Sequence, residues 1–139
     1  MDNNKNIFAF IFARGGSKGI PLKNIALVDN KPLIQHSIEI AKEIDEVQKI
    51  FVSTDSDKIK EIALQNKVEV IDRPPELATD NSAEWLSWQH AIKYTIKNYG
   101  DFKNFLSLPP TSPLRNKNDV KKCINALNKN VDLVLTMTE

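Results

Sequence analysis

Twelve residues, Ala13-Arg14-Gly15-Gly16-Ser17-Lys18-Gly19-Ile20-Pro21-Leu22-Lys23-Asn24, hold three glycines, three cationic side chains and a serine. Glycines let a backbone bend with φ > 0 and approach a ligand closely, so that consecutive N–H groups can line one concavity. Arg14, Lys18 and Lys23 add full positive charge to those partial charges, and the guest this chemistry suits is a polyphosphate. The spacing is neither G-x-x-x-x-G-K-[ST] nor G-x-G-x-x-G, so the loop is not a Walker A or a dinucleotide fingerprint. A merely basic surface loop is the plainer alternative.

Further candidates follow along the chain. Asp55 and Asp57 lie between a strand and a helix, where a carboxylate pair can hold magnesium but where aspartate also caps helices; capping is the preferred reading. Arg73 directly precedes Pro74-Pro75 and therefore sits on extended, stiff backbone. Its planar fork suits a base edge or a phosphate as well as a structural ion pair. In Pro109-Pro110-Thr111-Ser112-Pro113-Leu114-Arg115 the prolines set the path, while Thr111, Ser112 and Arg115 offer donors to a binding wall or close a simple turn. His36 and His90 have no second ligand at metal spacing and read as packing or surface residues. Trp85 and Trp88 read as helix anchors in a core or an interface.

These residues need elements to hold them. Ile7–Phe12 reads as a buried strand leading into the glycine loop. Lys31-Pro32 opens a helix with apolar positions at Leu33, Ile34, Ile38, Ala41 and Ile44. Lys49–Ser53 is a second strand, Ile59 to Asn66 a helical stripe and Val68–Ile71 a third strand. Arg73 to Asn81 is expected to lack regular structure through its prolines. Ser82 to Tyr99 is the longest helix, with Trp85, Trp88, Ile92 and Ile96 on its apolar stripe. Phe105–Leu108 is a fourth strand, Asp119 to Leu127 a helix, and Val131 to Glu139 reads as a strand just finished. Strands alternating with helices across short loops predict an α/β fold with a mostly parallel sheet.

With 139 residues, 41% hydrophobic and 27% charged, the chain reads as one globular α/β domain spanning 1–139. A net charge of +1 argues against nucleic acid as partner, and no apolar run approaches membrane-spanning length. The polar amino terminus is unlike a signal peptide, so a cytoplasmic location is expected. Cys123 is the lone cysteine, excludes an internal disulfide, and is expected on the buried face of its helix. Ending just after a strand suggests that a longer protein has been shortened at its carboxyl end.

The segments FARGGSKGIPLKN, VSTDSDKI, RPPELATDNS and PPTSPLR, in this order, resemble the acylneuraminate cytidylyltransferases over essentially the whole chain. The resemblance implies a Rossmann-like three-layer sandwich of the nucleotide-diphospho-sugar transferase type. It implies transfer of CMP from CTP to the anomeric hydroxyl of a sialic-acid-like nonulosonic acid, with magnesium assisting departure of pyrophosphate. By motif, Arg14 and Lys23 hold the triphosphate and act catalytically. Gly15, Gly16, Ser17 and Lys18 form the cradle, and Asn24 and Arg73 read the cytosine or ribose. Thr111, Ser112 and Arg115 are expected on the acceptor side. Pro109 stands where the family often has glutamine, and Ala83-Glu84 replace a serine pair. The family's metal-binding aspartates and its homodimer segment correspond to sequence beyond Glu139, so the 139 residues alone are expected to turn over little. Two alternatives stay open: a related nucleotidyltransferase with another sugar or triphosphate, and a non-catalytic nucleotide-binding fragment.

Overall fold

The computed structural model describes residues 6–16, 25–79, 81–110 and 117–127. In chain order the elements are β1 (Ile7–Phe12), β2 (Leu27–Val28), β3 (Lys31–Pro32), α1 (Leu33–Lys42), β4 (Val47–Thr54), α2 (Asp57–Gln65), β5 (Glu69–Asp72), a 3₁₀ turn (Pro75–Leu77), α3 (Glu84–Tyr99), β6 (Asn104–Ser107) and α4 (Lys117–Ala126). Strands β1, β4, β5 and β6 form a parallel sheet in the order β5-β4-β1-β6. The chain fills the sheet from β1 outward through β4 to β5, then crosses to the other side of β1 for β6. The order therefore reverses between β1 and β6, which is where open α/β sheets leave a crevice beyond the strand carboxyl ends.

The alternation of β1 sorts the core into two layers. Ile7, Ala9 and Ile11 face a cluster completed by Ile34 and Ile38 of α1, Ile59 and Ala63 of α2, and Val120 and Ile124 of α4. Phe8 and Phe10 face the opposite side with Phe51, Ile71 and Ala91, and Phe12, Phe102 and Phe105 pack against them. All six phenylalanines of the chain thus lie on the α3 side. The result is a three-layer, Rossmann-like sandwich, as expected from the sequence.

The expected strands and helices are present, with ends displaced by a few residues; the expected strand at 131–139 lies outside the described residues. Four details differ. The β2–β3 hairpin was not expected, because each strand has two residues and the turn is Asp29-Asn30, both at positive φ (51° and 63°), without the usual glycine. His36 of α1 ties that hairpin down by donating to the Val28 carbonyl (2.7 Å). The proline segment contains the 3₁₀ turn, with proline at its first position, where no N–H is needed. On α3 the buried stripe is Ser87, Ala91 and Thr95, while Trp85 (55% exposed) and Ile96 (45%) face outward. Small side chains face the sheet there because the phenylalanines already fill the layer. Cys123 is only half-buried on α4.

Candidate functional site

The carboxyl ends of the four sheet strands converge on one edge, and the local hydrogen bonds show what holds it. As β1 ends, the Ala13 N–H donates to the Ser53 carbonyl (3.0 Å), extending the β1–β4 ladder one residue. As β5 ends, the Arg73 N–H donates to the Thr54 carbonyl (2.9 Å). On the other flank the Leu108 N–H donates to the Phe10 carbonyl (3.0 Å), and the Ser37 hydroxyl of α1 donates to the Pro109 carbonyl (3.4 Å). The first residues of the glycine loop, the β4–α2 turn, Arg73 and Pro109-Pro110 therefore leave the sheet at fixed positions.

Arg73 lies beneath this edge rather than out upon it. It is 8% exposed; its Nε donates to the Ser53 hydroxyl (3.2 Å) and its Nη2 to the Ser53 carbonyl (3.1 Å). Its guanidinium lies over the Phe12 ring, 5.8 Å from the centroid. Burial lowers the Arg73 pKa from its ordinary value; Asp55 opposes that, Arg14 reinforces it, and Glu84 again opposes it. An arginine this buried stays charged because oxygen acceptors and carboxylates surround it. The two arginines, Arg14 and Arg73, are thus close enough to feel each other. His90 of α3 is pushed toward its neutral form, first by burial and then by the Arg73 charge.

The glycine loop shows a division of labour. A Cβ on Gly15 would stand 2.8 Å from the Ser56 Cβ, so only glycine lets the loop lie against the β4–α2 turn. The Gly15 N–H does not open onto a concavity: it donates to the Asp55 Oδ1 (2.8 Å). Gly16 is exposed, and among the described residues nothing lies within 4 Å of the position a Cβ would take, which leaves that side of the backbone accessible to a ligand.

Of the residues expected at the site, the structure brings together Arg14, Gly15, Gly16 and Arg73. Ser17, Lys18, Lys23, Asn24, Thr111, Ser112 and Arg115 lie outside the described residues. The preferred reading of Asp55 and Asp57 as helix-terminus residues holds for Asp57, in the first turn of α2, but neither aspartate is the cap. The cap of α2 is Ser56, whose hydroxyl accepts from the Ile59 N–H (3.4 Å). Asp57, in the first helical turn, pairs with Lys60 (3.7 Å), and Asp55 reaches the glycine loop instead. Trp88 packs near Phe12 (6.3 Å between centroids) and Phe105 (5.5 Å), an anchor as expected, whereas Trp85 is not buried. Sequence reasoning missed Ser53 and the loop-facing role of Asp55. The signal available was the polar run Ser53-Thr54-Asp55-Ser56 at a strand end. Among the described residues no group of three or more His, Cys, Asp or Glu side chains could hold a metal, and no helix is long and apolar enough to cross a membrane.

The sequence pattern of the family described as cytidylyltransferase matches residues 8–137. The chain belongs to the cytidylyltransferase family. Among curated relatives, the N-acylneuraminate cytidylyltransferase of Streptococcus agalactiae serotype V is 38% identical over 130 residues, 91% of this chain and 30% of the relative. The enzyme of the same name from Escherichia coli O18:K1:H7 is 36% identical over 118 residues, covering 85% of this chain and 27% of the relative. The chain thus spans about 30% of the length of the curated relatives it matches. Among solved structures, a CMP:2-keto-3-deoxy-manno-octonic acid synthetase complexed with CTP superposes with a TM-score of 0.69 at 22% identity. That match covers 86% of this chain and 46% of the other. A cytidylyltransferase from Leptospira borgpetersenii superposes with a TM-score of 0.68 at 20% identity, over 88% of this chain and 48% of the other. These two likenesses support the fold of this cytidylyltransferase-family chain.

Proposed function

We propose that the protein carrying this sequence transfers CMP from CTP to the anomeric hydroxyl of a sialic-acid-like nonulosonic acid. The observation that carries the reading is the meeting of Arg14, the exposed Gly16 and the buried Arg73 at one strand-end edge, where the strand order reverses. The names of relatives at 36–38% identity support the choice of cytidine and sugar acid. In the reaction the anomeric oxygen attacks the α-phosphorus of CTP. A P–O bond forms, the bond to the bridging oxygen of the β-phosphate breaks, and pyrophosphate leaves; the hydroxyl proton passes to solvent. Such transfers depend chiefly on positioning and on stabilising charge at the transferring phosphoryl group.

The chain's own residues divide that work. Arg14 and Lys23 stabilise the triphosphate, and the exposed Gly16, with Ser17 and Lys18 next in sequence, cradles it. Arg73 supports the base end together with Asn24, its own guanidinium held by Ser53 so that it costs little further ordering on binding. Thr111, Ser112 and Arg115 are assigned by motif to binding the acceptor. Magnesium belongs to the reading as the ion that neutralises the departing pyrophosphate. Among the described residues no group of three or more His, Cys, Asp or Glu side chains could hold it. A sugar acid other than N-acetylneuraminate is favoured by Pro109, whose carbonyl is held by Ser37 and whose ring offers no amide.

The test is calorimetric titration of the full-length protein with CTP, ATP, GTP and UTP beside Arg14→Ala. Heat with CTP alone, reduced about tenfold or more in affinity by the substitution, is the expected result. Equal binding of all four nucleotides, unchanged in Arg14→Ala, overturns the reading.

A further inference from the structure

Asp55 lies just before the α2 cap and does not cap that helix. The α2 cap is Ser56, and Lys60 pairs with Asp57 (3.7 Å) and Asp72 (2.5 Å). The Asp55 side chain instead accepts the N–H of Gly15, a residue 40 positions earlier in the chain, at 2.8 Å.

Both ends of that contact are anchored. On the aspartate side, the fully buried Thr54 accepts the Ser56 N–H at its hydroxyl (3.1 Å) and the Arg73 N–H at its carbonyl (2.9 Å). The turn presenting Asp55 is thereby tied to the ends of two strands. On the loop side, Ala13 is in the β1–β4 ladder, and Gly15 lies so close to Ser56 that a Cβ would stand 2.8 Å from the Ser56 Cβ. Arg14 sits between these two pinned backbone positions. The carboxylate also opposes the lowering of the Arg73 pKa that burial causes. One side chain therefore sets the course of the loop after Arg14 and lies near enough to interact with the charge of the second arginine.

We propose that Asp55 is a positioning residue of the nucleotide site. It acts through the Gly15 amide on the direction of Arg14 and on the open backbone at Gly16, and it does not touch the substrate. A carboxylate acceptor makes this a charge-assisted bond, stronger than a neutral one. The inference rests on the cytidylyl-transfer reading above only for its kinetic readout. Its structural readout, exchange of the Gly15 amide, is independent of that reading.

The test compares wild type, Asp55→Ala and Asp55→Asn in the full-length protein. The asparagine variant retains an acceptor oxygen in place. Expected for Asp55→Ala is a fall in kcat/KM for CTP of about tenfold or more, carried mainly by KM, with faster exchange of the Gly15 amide. Expected for Asp55→Asn is recovery of most of both. Should the alanine variant fail to fold, Asp55→Ser, too short to reach Gly15, replaces it. Wild-type kinetics and a protected Gly15 amide in Asp55→Ala overturn the proposal. So does equal damage in the asparagine and alanine variants, which makes the charge itself the functional feature. If wild type does not use CTP, the functional reading fails instead. Gly15 exchange then decides this proposal alone: faster exchange in Asp55→Ala upholds it and unchanged exchange overturns it.

Discussion

The two faces of the sheet solve the same burial problem with opposite materials. One face packs isoleucine, valine and alanine between the sheet and the three helices α1, α2 and α4. The other gathers all six phenylalanines under the single helix α3, whose buried positions are Ser87, Ala91 and Thr95. Ring on ring fills that layer: Phe10 stacks on Phe105 at 4.6 Å and on Phe51 at 5.2 Å, and Phe8 on Phe102 at 4.8 Å. The aliphatic layer spreads its burial over many interchangeable contacts. The aromatic layer concentrates it in a few large rings and leaves room for only small side chains above them. It is also the layer that runs up to the candidate site, through Phe12 beneath the Arg73 guanidinium.

The largest effect that separates the faces is expected from Phe10→Ala. Phe10 is fully buried and its ring neighbours Phe12, Phe51, Phe102 and Phe105. Its removal is expected to destabilise the protein by about 3–5 kcal/mol in chemical denaturation, more than Ile38→Val on the opposite face at about 1 kcal/mol. Equal losses at the two positions show that the concentration of packing in the aromatic layer is illusory. Next comes Ala91→Leu, which inserts bulk where α3 meets the rings. A cost of about 1–3 kcal/mol is expected, and a neutral result means that the layer has room the packing denies it.

The smallest effect is electrostatic and sits at the far end of the aromatic layer. The Tyr99 ring meets Phe51 edge-on (centroids 5.1 Å apart), and its hydroxyl donates to Glu69 (2.8 Å). That hydrogen bond, then burial, push the Tyr99 pKa up to about 12 from 10.0. The folded state therefore holds its proton at a pH where the unfolded chain has lost it. The stabilisation is complete below pH 10 and is lost as pH rises from 10 through 12. Denaturation midpoints measured across that range fall for wild type and fall less for Glu69→Gln; parallel curves exclude the pair as the source.

Much of the site's location was legible because strand ends and loop chemistry are written locally. Ile7–Phe12 followed by Arg14-Gly15-Gly16 is a strand delivering a basic, glycine-bearing loop, and Arg73 before two prolines marks a stiff exit from β5. What each residue does there was less legible. Gly15 reads as part of an anion cradle, yet its N–H is taken by Asp55, because the β4–α2 turn lies alongside it in space and not in sequence. Arg73 reads equally as a reader of a base or phosphate and as a structural ion pair, and the bonds it makes, to Ser53, come from a neighbouring strand. Trp85 and Ile96 follow helical spacing but miss the buried stripe, since which side of α3 faces inward depends on the rings it meets.

By itself the sequence determined the alternation of strands and helices, the apolar run of β1 and the chemistry of the loop that follows it. Periodicity and turn chemistry act over a few residues, so they can be read from the chain alone. Only the tertiary structure decided that phenylalanines from β1, β4 and β6 share one layer, that α3 presents its small residues to them, and that Asp55 rather than a ligand meets the Gly15 amide. Those outcomes depend on the strand order β5-β4-β1-β6, which juxtaposes residues tens of positions apart. No local pattern encodes a contact whose two halves are joined only by the register of parallel strands.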